Sequence, residues 1–95
     1  MANYYLSNAA KADLKRIYSY GYQVFGETQA DTYFAAFFDA FERIAQAPLS
    51  FPSVDHIRPG YRRAVCGVDS IYFRQNDDMV EIMAILGGQQ SELWL

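Results

Sequence analysis

The chain has 95 residues, 52% of them apolar and 20% charged, which suffices for one packed domain and is too short for two. Seven Phe and eight Tyr exclude a disordered polypeptide, since such chains are poor in aromatics and rich in charge. The net charge of −3 excludes a protein that binds nucleic acid by non-specific neutralisation of phosphates.

Tyr4, Tyr5 and Leu6 form a short β-prone stretch. Ser7-Asn8 follow as N-cap residues, whose side-chain oxygens can accept an unpaired backbone N–H. Ala10, Leu14, Ile17, Tyr18, Gly21 and Phe25 then recur at helical spacing, with Lys11, Asp13, Lys15 and Arg16 mostly off that stripe. Gly26 suits the left-handed residue that closes a helix. Thr28 with Asp31 resembles a capping box and predicts the start of a second helix, whose stripe runs through Ala30, Tyr33, Phe34, Phe37, Phe41 and Ile44 until Pro48 stops it. Two helices joined by two or three residues form an antiparallel hairpin. Phe34, Phe37, Phe41, Leu14 and Ile17 are the expected core.

Residues 48–60 lack periodicity and read as a loop. Tyr61–Cys66, Ser70–Gln75 and Met79–Leu86 are short segments rich in Val, Ile, Tyr and Phe, separated by turn-forming residues, and predict a three-stranded antiparallel meander. The expected architecture is α+β, a two-layer β-α-α-β-β-β fold with the helical hairpin packed on an antiparallel sheet. Residues 1–95 form one domain, with 87–95 as a C-terminal tail. Its Leu93-Trp94-Leu95 end either docks back on the body or meets a partner.

Charge is unevenly placed. Arg58, Arg62, Arg63 and Arg74 make the middle of the chain basic, whereas Asp77, Asp78, Glu81 and Glu92 follow without a base. Cys66 has no partner for an internal disulfide, and no basic stretch followed by an apolar core marks a secretory signal. The longest apolar run, Tyr33 to Phe38, falls far below the roughly 18–20 residues of a spanning helix. The expectation is a soluble, cytoplasmic protein that does not meet a membrane.

Catalytic chemistry is thinly represented. One His (His56) and one Cys cannot supply a zinc site unless carboxylates complete it, Cys66 on an apolar strand reads as a small core residue, and no Gly-rich phosphate loop is present. No metal or cofactor is expected. The remaining constellation is Arg58-Pro59-Gly60-Tyr61-Arg62-Arg63 with Arg74 on the next strand. Arginines from two neighbouring strands can line one patch with Tyr61 or Tyr72, suited to forked contacts with phosphate, carboxylate or protein backbone. The competing reading pairs these arginines with Asp55, Asp69, Asp77 and Glu81 as a solvated face.

The segments Ile57-Arg58-Pro59-Gly60-Tyr61-Arg62-Arg63, Gly67-Val68-Asp69-Ser70-Ile71-Tyr72-Phe73-Arg74 and Asp77-Asp78-Met79-Val80-Glu81-Ile82 stand in this order behind Ala9-Ala10-Lys11-Ala12-Asp13-Leu14 and Gln29-Ala30-Asp31-Thr32-Tyr33. With that order of elements, nearly the whole chain resembles the ParE toxin family of the RelE/ParE superfamily. The resemblance implies the toxin of a type II toxin–antitoxin system: a non-catalytic inhibitor of DNA gyrase, neutralised by a cognate ParD-like antitoxin in a hetero-oligomer that reaches operator DNA only through the antitoxin. The RelE branch instead cleaves messenger RNA on the ribosome, which calls for a general base and acid beside cations. Here residues 47–95 contain no Lys and only His56, so that branch is the alternative. Asp69 and Leu86-Gly87-Gly88 stand where relatives often carry His, and Ala84 where they often carry a base. These changes leave a less basic sheet and keep open a third reading, a non-toxic antitoxin-binding relative. The expected target-binding residues are Arg58, Tyr61, Arg62, Arg63, Tyr72 and Arg74; Tyr22, Phe38 and Trp94 are the expected antitoxin contacts.

Overall fold

In the computed structural model, which describes residues 3–87, the predicted order of elements is present. Strand β1 (Tyr4–Leu6) leads into α1 (Asn8–Phe25) and α2 (Glu27–Gln46), and strands β2 (Tyr61–Cys66), β3 (Asp69–Asn76) and β4 (Met79–Gly87) follow. Ser7 caps α1, its hydroxyl oxygen accepting the Ala10 N–H at 3.0 Å and so satisfying one of the donors a helix start leaves unpaired. Gly26, at φ 94°, is the single residue between the helices, where two or three were expected. The Thr28–Asp31 capping box does not form, because α2 starts at Glu27 with no side-chain cap. Asp31 instead accepts the Tyr18 hydroxyl at 2.7 Å, and the Thr32 hydroxyl donates to the Thr28 carbonyl. Pro48 does end α2, opening a short 3-10 turn, Pro48–Ser50.

The sheet has the order β1-β4-β3-β2. β2, β3 and β4 form the expected antiparallel meander, whereas β1 lies parallel to β4, with Tyr4 opposite Val80 and Leu6 opposite Ile82. The sheet is therefore mixed rather than wholly antiparallel. A chain that enters the sheet at one edge and next crosses its face as a helical hairpin can place its first strand in either direction, and the short β-prone stretch carries no sign of which.

Because side chains alternate across a strand, the sheet has two distinct faces. One packs under the hairpin, where Phe37, Phe41 and Ile44 of α2 and Leu14 of α1 meet Ile71, Phe73 and Ile82. Gly21 and Ala30 let the helices approach closely, a Cβ on Gly21 lying 3.7 Å from that of Ala30. Phe34, expected in this core, is 36% exposed; it lies at the stripe's margin, its ring against Tyr18 and Phe38. Ile17 is partly buried against the core. The opposite face carries a second, smaller core of Val54, Tyr61 and Tyr72, flanked by Ile57, Met83 and Leu86. Among the described residues no helix is long and apolar enough to cross a membrane. Trp94 and the rest of the predicted tail beyond Gly87 lie outside the described residues.

Candidate functional site

The segment 52–60 starts along the free edge of β2, where Ser53 pairs antiparallel with Arg62, is fastened there by backbone hydrogen bonds, and sets Val54 and Ile57 against Tyr61 and Tyr72. Val54 N–H donates to the Tyr61 carbonyl at 2.8 Å and Arg63 N–H to the Pro52 carbonyl at 3.1 Å, while Tyr61 N–H closes back on the Arg58 carbonyl. Asp55 caps the turn by accepting the Gly60 N–H at 2.7 Å. Such a fastened loop can hold side chains over a sheet almost as firmly as a strand does. Arg58 uses it to place its guanidinium 6.0 Å from the centre of the Tyr61 ring, within cation–π reach.

Beside it, Arg63 on β2 faces Tyr72 on β3, and Tyr61 faces Arg74. Arg74 donates from Nε to Glu81 Oε1 of β4 at 2.8 Å, the charged form of the pair that cross-strand neighbours favour. Arg63 is exposed and makes no ion pair among the described residues. Arg58, Arg63 and Arg74 thus share the outer face, where Arg74 is paired with Glu81. Of the carboxylates that the competing reading assigned to the arginines, Glu81 does pair, but Asp55 serves its own loop and Asp69 serves the other face.

The expected six residues do not all belong to this patch. Arg62 is paired with Phe73 in register and points to the hairpin side, where its Nη1 donates to the Phe51 carbonyl at 2.7 Å. Phe51 in turn packs edge-on against Phe73. Arg62 therefore anchors the loop. Tyr72 is 1% exposed and Tyr61 is buried, both packed with Val54, so they support the patch from below and offer little surface of their own. Strand alternation separates Arg62 from Arg63 directly; the burial of the tyrosines depends on a loop path that composition does not encode.

On the hairpin side, Tyr33 of α2 locks the β2–β3 turn. Its hydroxyl lies 2.8 Å from both the Cys66 carbonyl and Asp69 Oδ2, and it accepts the Val68 N–H at 3.3 Å. Asp69, buried, thus holds a helix to a turn. Gly67 sits at φ 60°, and a Cβ there would come within 2.5 Å of the Tyr33 ring. Gly67→Ala is expected to cost about 2–4 kcal/mol, from left-handed backbone strain and displaced hydrogen bonds. Urea unfolding measures it, and a loss under about 1 kcal/mol would mean that the ring swings aside freely.

Burial and the hydrogen bond to Asp69 raise the Tyr33 phenol well above its ordinary 10.0, and the hydrogen bond to Asp31 pushes Tyr18 up to about 12. Both phenols hold their protons more tightly folded than unfolded. The stability they contribute is complete below pH 10 and is lost as pH rises through their folded values. The urea midpoint should therefore stay level to about pH 9 and fall between about pH 10 and 12, with a shallower fall in Tyr18→Phe and Tyr33→Phe variants. An unchanged slope in both variants would refute this assignment.

Two apolar hollows flank the hairpin. One, about 660 Å³, is walled by Leu6, Leu14, Tyr18, Phe34 and Phe38, with Lys11 and Lys15 also lining it. The other, about 730 Å³, lies beside the Gly26 turn and is walled by Ile17, Tyr20, Phe25, Tyr33 and Val68. Tyr18 and Phe34 line both. Of the expected antitoxin contacts, Phe38 is half-buried in the first hollow, its ring against Phe34 and Phe41. Tyr22 is 50% exposed on α1, its ring beside Tyr18.

Sequence reasoning missed the residues that close the sheet beyond the end of β1. The Ser7 hydroxyl donates to the Met83 carbonyl at 2.8 Å, Asp13 accepts the Ile85 N–H at 3.0 Å, and Arg16 donates to the Ile85 carbonyl at 3.2 Å. Asp13 and Arg16 also pair with each other. An acid and a base three apart on the sheet-facing start of a helix was the available signal.

Comparison with known proteins agrees with this geometry. A family model described as "ParE toxin of type II toxin-antitoxin system, parDE" matches residues 4–92. The chain belongs to the ParE toxin family. "Toxin ParE1" of Mycobacterium tuberculosis (strain H37Rv) is 31% identical over 86 residues, 90% of this chain and 88% of that one. The ParE1 toxin of Caulobacter vibrioides is 36% identical over the same share of each. Among solved structures, a chain of "Chromosomal ParDE TA system from P. aeruginosa" superposes with a TM-score of 0.78 at 22% identity, covering 92% of this chain and 96% of that one. The likeness shows that the two chains share one fold.

Proposed function

We propose that this ParE-family chain is the toxin half of a type II toxin–antitoxin pair and inhibits DNA gyrase by binding rather than by catalysis, in the cytoplasm. The observation that carries the proposal is the exposed arginine face of a ParE fold: Arg63, exposed and without an ion pair among the described residues, beside Arg58 and Arg74 on the sheet. Forked, permanently charged donors suit a carboxylate-rich protein surface. RNA cleavage would need a general base and a general acid on the same face, and the carboxylate in contact with the patch, Glu81, is engaged by Arg74. That consideration favours a binding mode over the ribonuclease reading.

The hairpin supports the second half of the proposal. An apolar hollow lined also by Lys11 and Lys15 fits an amphipathic segment with an acidic flank, the helix-in-groove mode of recognition. Phe38 would contact such a ParD-like antitoxin in the groove, Tyr22 on the adjoining helix face, and Trp94 from the tail. Operator DNA would be reached only through the antitoxin in the resulting hetero-oligomer, consistent with a net charge of −3 on this chain. Inducing the gene without its neighbouring open reading frame should arrest growth and raise the DNA-damage response while messenger RNA stays intact. Normal gyrase supercoiling at excess purified protein would remove gyrase as the target. Unimpaired growth with tight co-purification of a small partner would point to the non-toxic relative instead.

A further inference from the structure

Tyr5, Glu81, Arg74 and Tyr61 stand opposite one another in register and form one row across all four strands. Glu81 and Arg74 occupy the two interior strands, so the backbone under each is held by a neighbouring strand on both sides. Their side chains are unequally placed. That of Glu81 is 14% exposed and that of Arg74 44%, which leaves the carboxylate largely covered and the guanidinium reaching into water. The contact between them is one hydrogen bond, from Arg74 Nε to Glu81 Oε1 at 2.8 Å. A guanidinium carries five N–H donors in one plane, and among the described residues the donors on Nη1 and Nη2 of Arg74 make no hydrogen bond. Holding Nε therefore fixes the plane and leaves the far edge as a fork that matches a carboxylate. An ion pair with one member this exposed adds little to stability; its larger effect is on where Arg74 points.

We infer, on the reading that this face meets the target, that Glu81 is a positioning residue: it orders Arg74 beforehand so that Nη1 and Nη2 together receive one carboxylate of the target protein. A side chain already ordered avoids the rotamer entropy that binding would otherwise cost. Arg63, exposed and without an ion pair among the described residues, has no such support. Glu81 thus strengthens binding of an anion despite its own negative charge, and that sign separates positioning from mere neutralisation of Arg74.

In the purified full chain, NMR should find the Arg74 Nε–H rigid and slow to exchange with water, and that of Arg63 mobile. Glu81→Ala should free the Arg74 group, whereas Glu81→Gln, whose carbonyl still accepts from Nε, should keep it held, with the urea midpoint nearly unchanged in both. Glu81→Ala should raise the concentration for half-inhibition of gyrase about 10-fold, Arg74→Lys by a similar factor because it keeps the charge and loses the fork, and Glu81→Gln by less than about 3-fold. In an Arg74→Ala background, Glu81→Ala should change nothing further. A mobile Arg74 Nε–H in the unaltered chain would overturn the inference, and so would stronger inhibition by either Glu81 variant, the mark of a carboxylate that only neutralises its partner. Failure of the underlying reading looks different: Arg63→Ala and Arg74→Ala as potent as the unaltered chain, with Arg74 Nε–H still rigid, would remove the whole face as a target surface and this role of Glu81 with it.

Discussion

Phe41→Ala is expected to destabilise the domain by about 3–5 kcal/mol, a large part of the 5–15 kcal/mol that holds a typical domain together. Phe41 is fully buried, and its ring joins three neighbours: Tyr4 of β1 at 5.5 Å, Phe38 at 5.4 Å and Phe37 at 6.4 Å between centroids. Truncation would open a void between the hairpin and the parallel strand β1, neither of which can collapse into it without losing register. Phe34→Ala, one helical turn from Phe37, is expected to cost only about 1 kcal/mol because that ring is half in water. Urea titrations of both variants measure the contrast. Equal losses at the two positions would mean that the core is not centred where the buried rings place it.

Arg63→Ala is expected to abolish growth arrest and raise the concentration needed for gyrase inhibition about 30-fold, the effect of losing an interface arginine worth about 2 kcal/mol, with the unfolding midpoint unchanged. Its neighbour should behave in the opposite way. Arg62→Ala removes a charged hydrogen bond to the Phe51 carbonyl and should cost about 1.5–3 kcal/mol of stability while leaving inhibition by the folded fraction intact. The two adjacent arginines therefore separate a binding role from a structural one. Toxicity that survives Arg63→Ala, with folding intact, would remove the arginine face from the mechanism. Toxicity lost equally in both variants at equal stability would mean that the target reaches around the sheet edge.

Much of the fold was legible because its boundaries are chemically abrupt. Ser7, Pro48 and the turns at Gly67-Val68 and Asp77-Asp78 stop one periodicity and start another, and the structure breaks close to where they do. The start of α2 was less legible. A short polar residue followed three later by an acid looks like a cap, but Asp31 has a better partner in Tyr18 across the hairpin, and a tertiary contact outcompetes a local one. The candidate site was half legible. Alternation along β2 would have put Arg63 and Arg62 on opposite faces, and treating Arg58 to Arg63 as one basic cluster concealed that. The burial of Tyr61 and Tyr72 could not be read, because it depends on Val54 and Ile57 packing with them, and segment 52–60 has no period of its own. The surplus of aromatics is now divided: several Phe fill the main core, Tyr61 and Tyr72 fill a second one, and Tyr20, Tyr22 and Phe25 remain at the surface.

The parallel pairing of β1 with β4 has a consequence for the life of the chain before it is complete. Among the described residues β1 has its one sheet neighbour in β4, and Ser7, Asp13 and Arg16 have their acceptors and donors on Met83 and Ile85. During synthesis, which proceeds at about 5–20 residues per second, the hairpin emerges and waits some seconds with its apolar stripe uncovered. A chain halted before β4 never closes the sheet and never presents Arg63 and Arg74 on a rigid face. Arrival of β4 is thus the step that completes the sheet, and until then the apolar stripe of the hairpin stays in water.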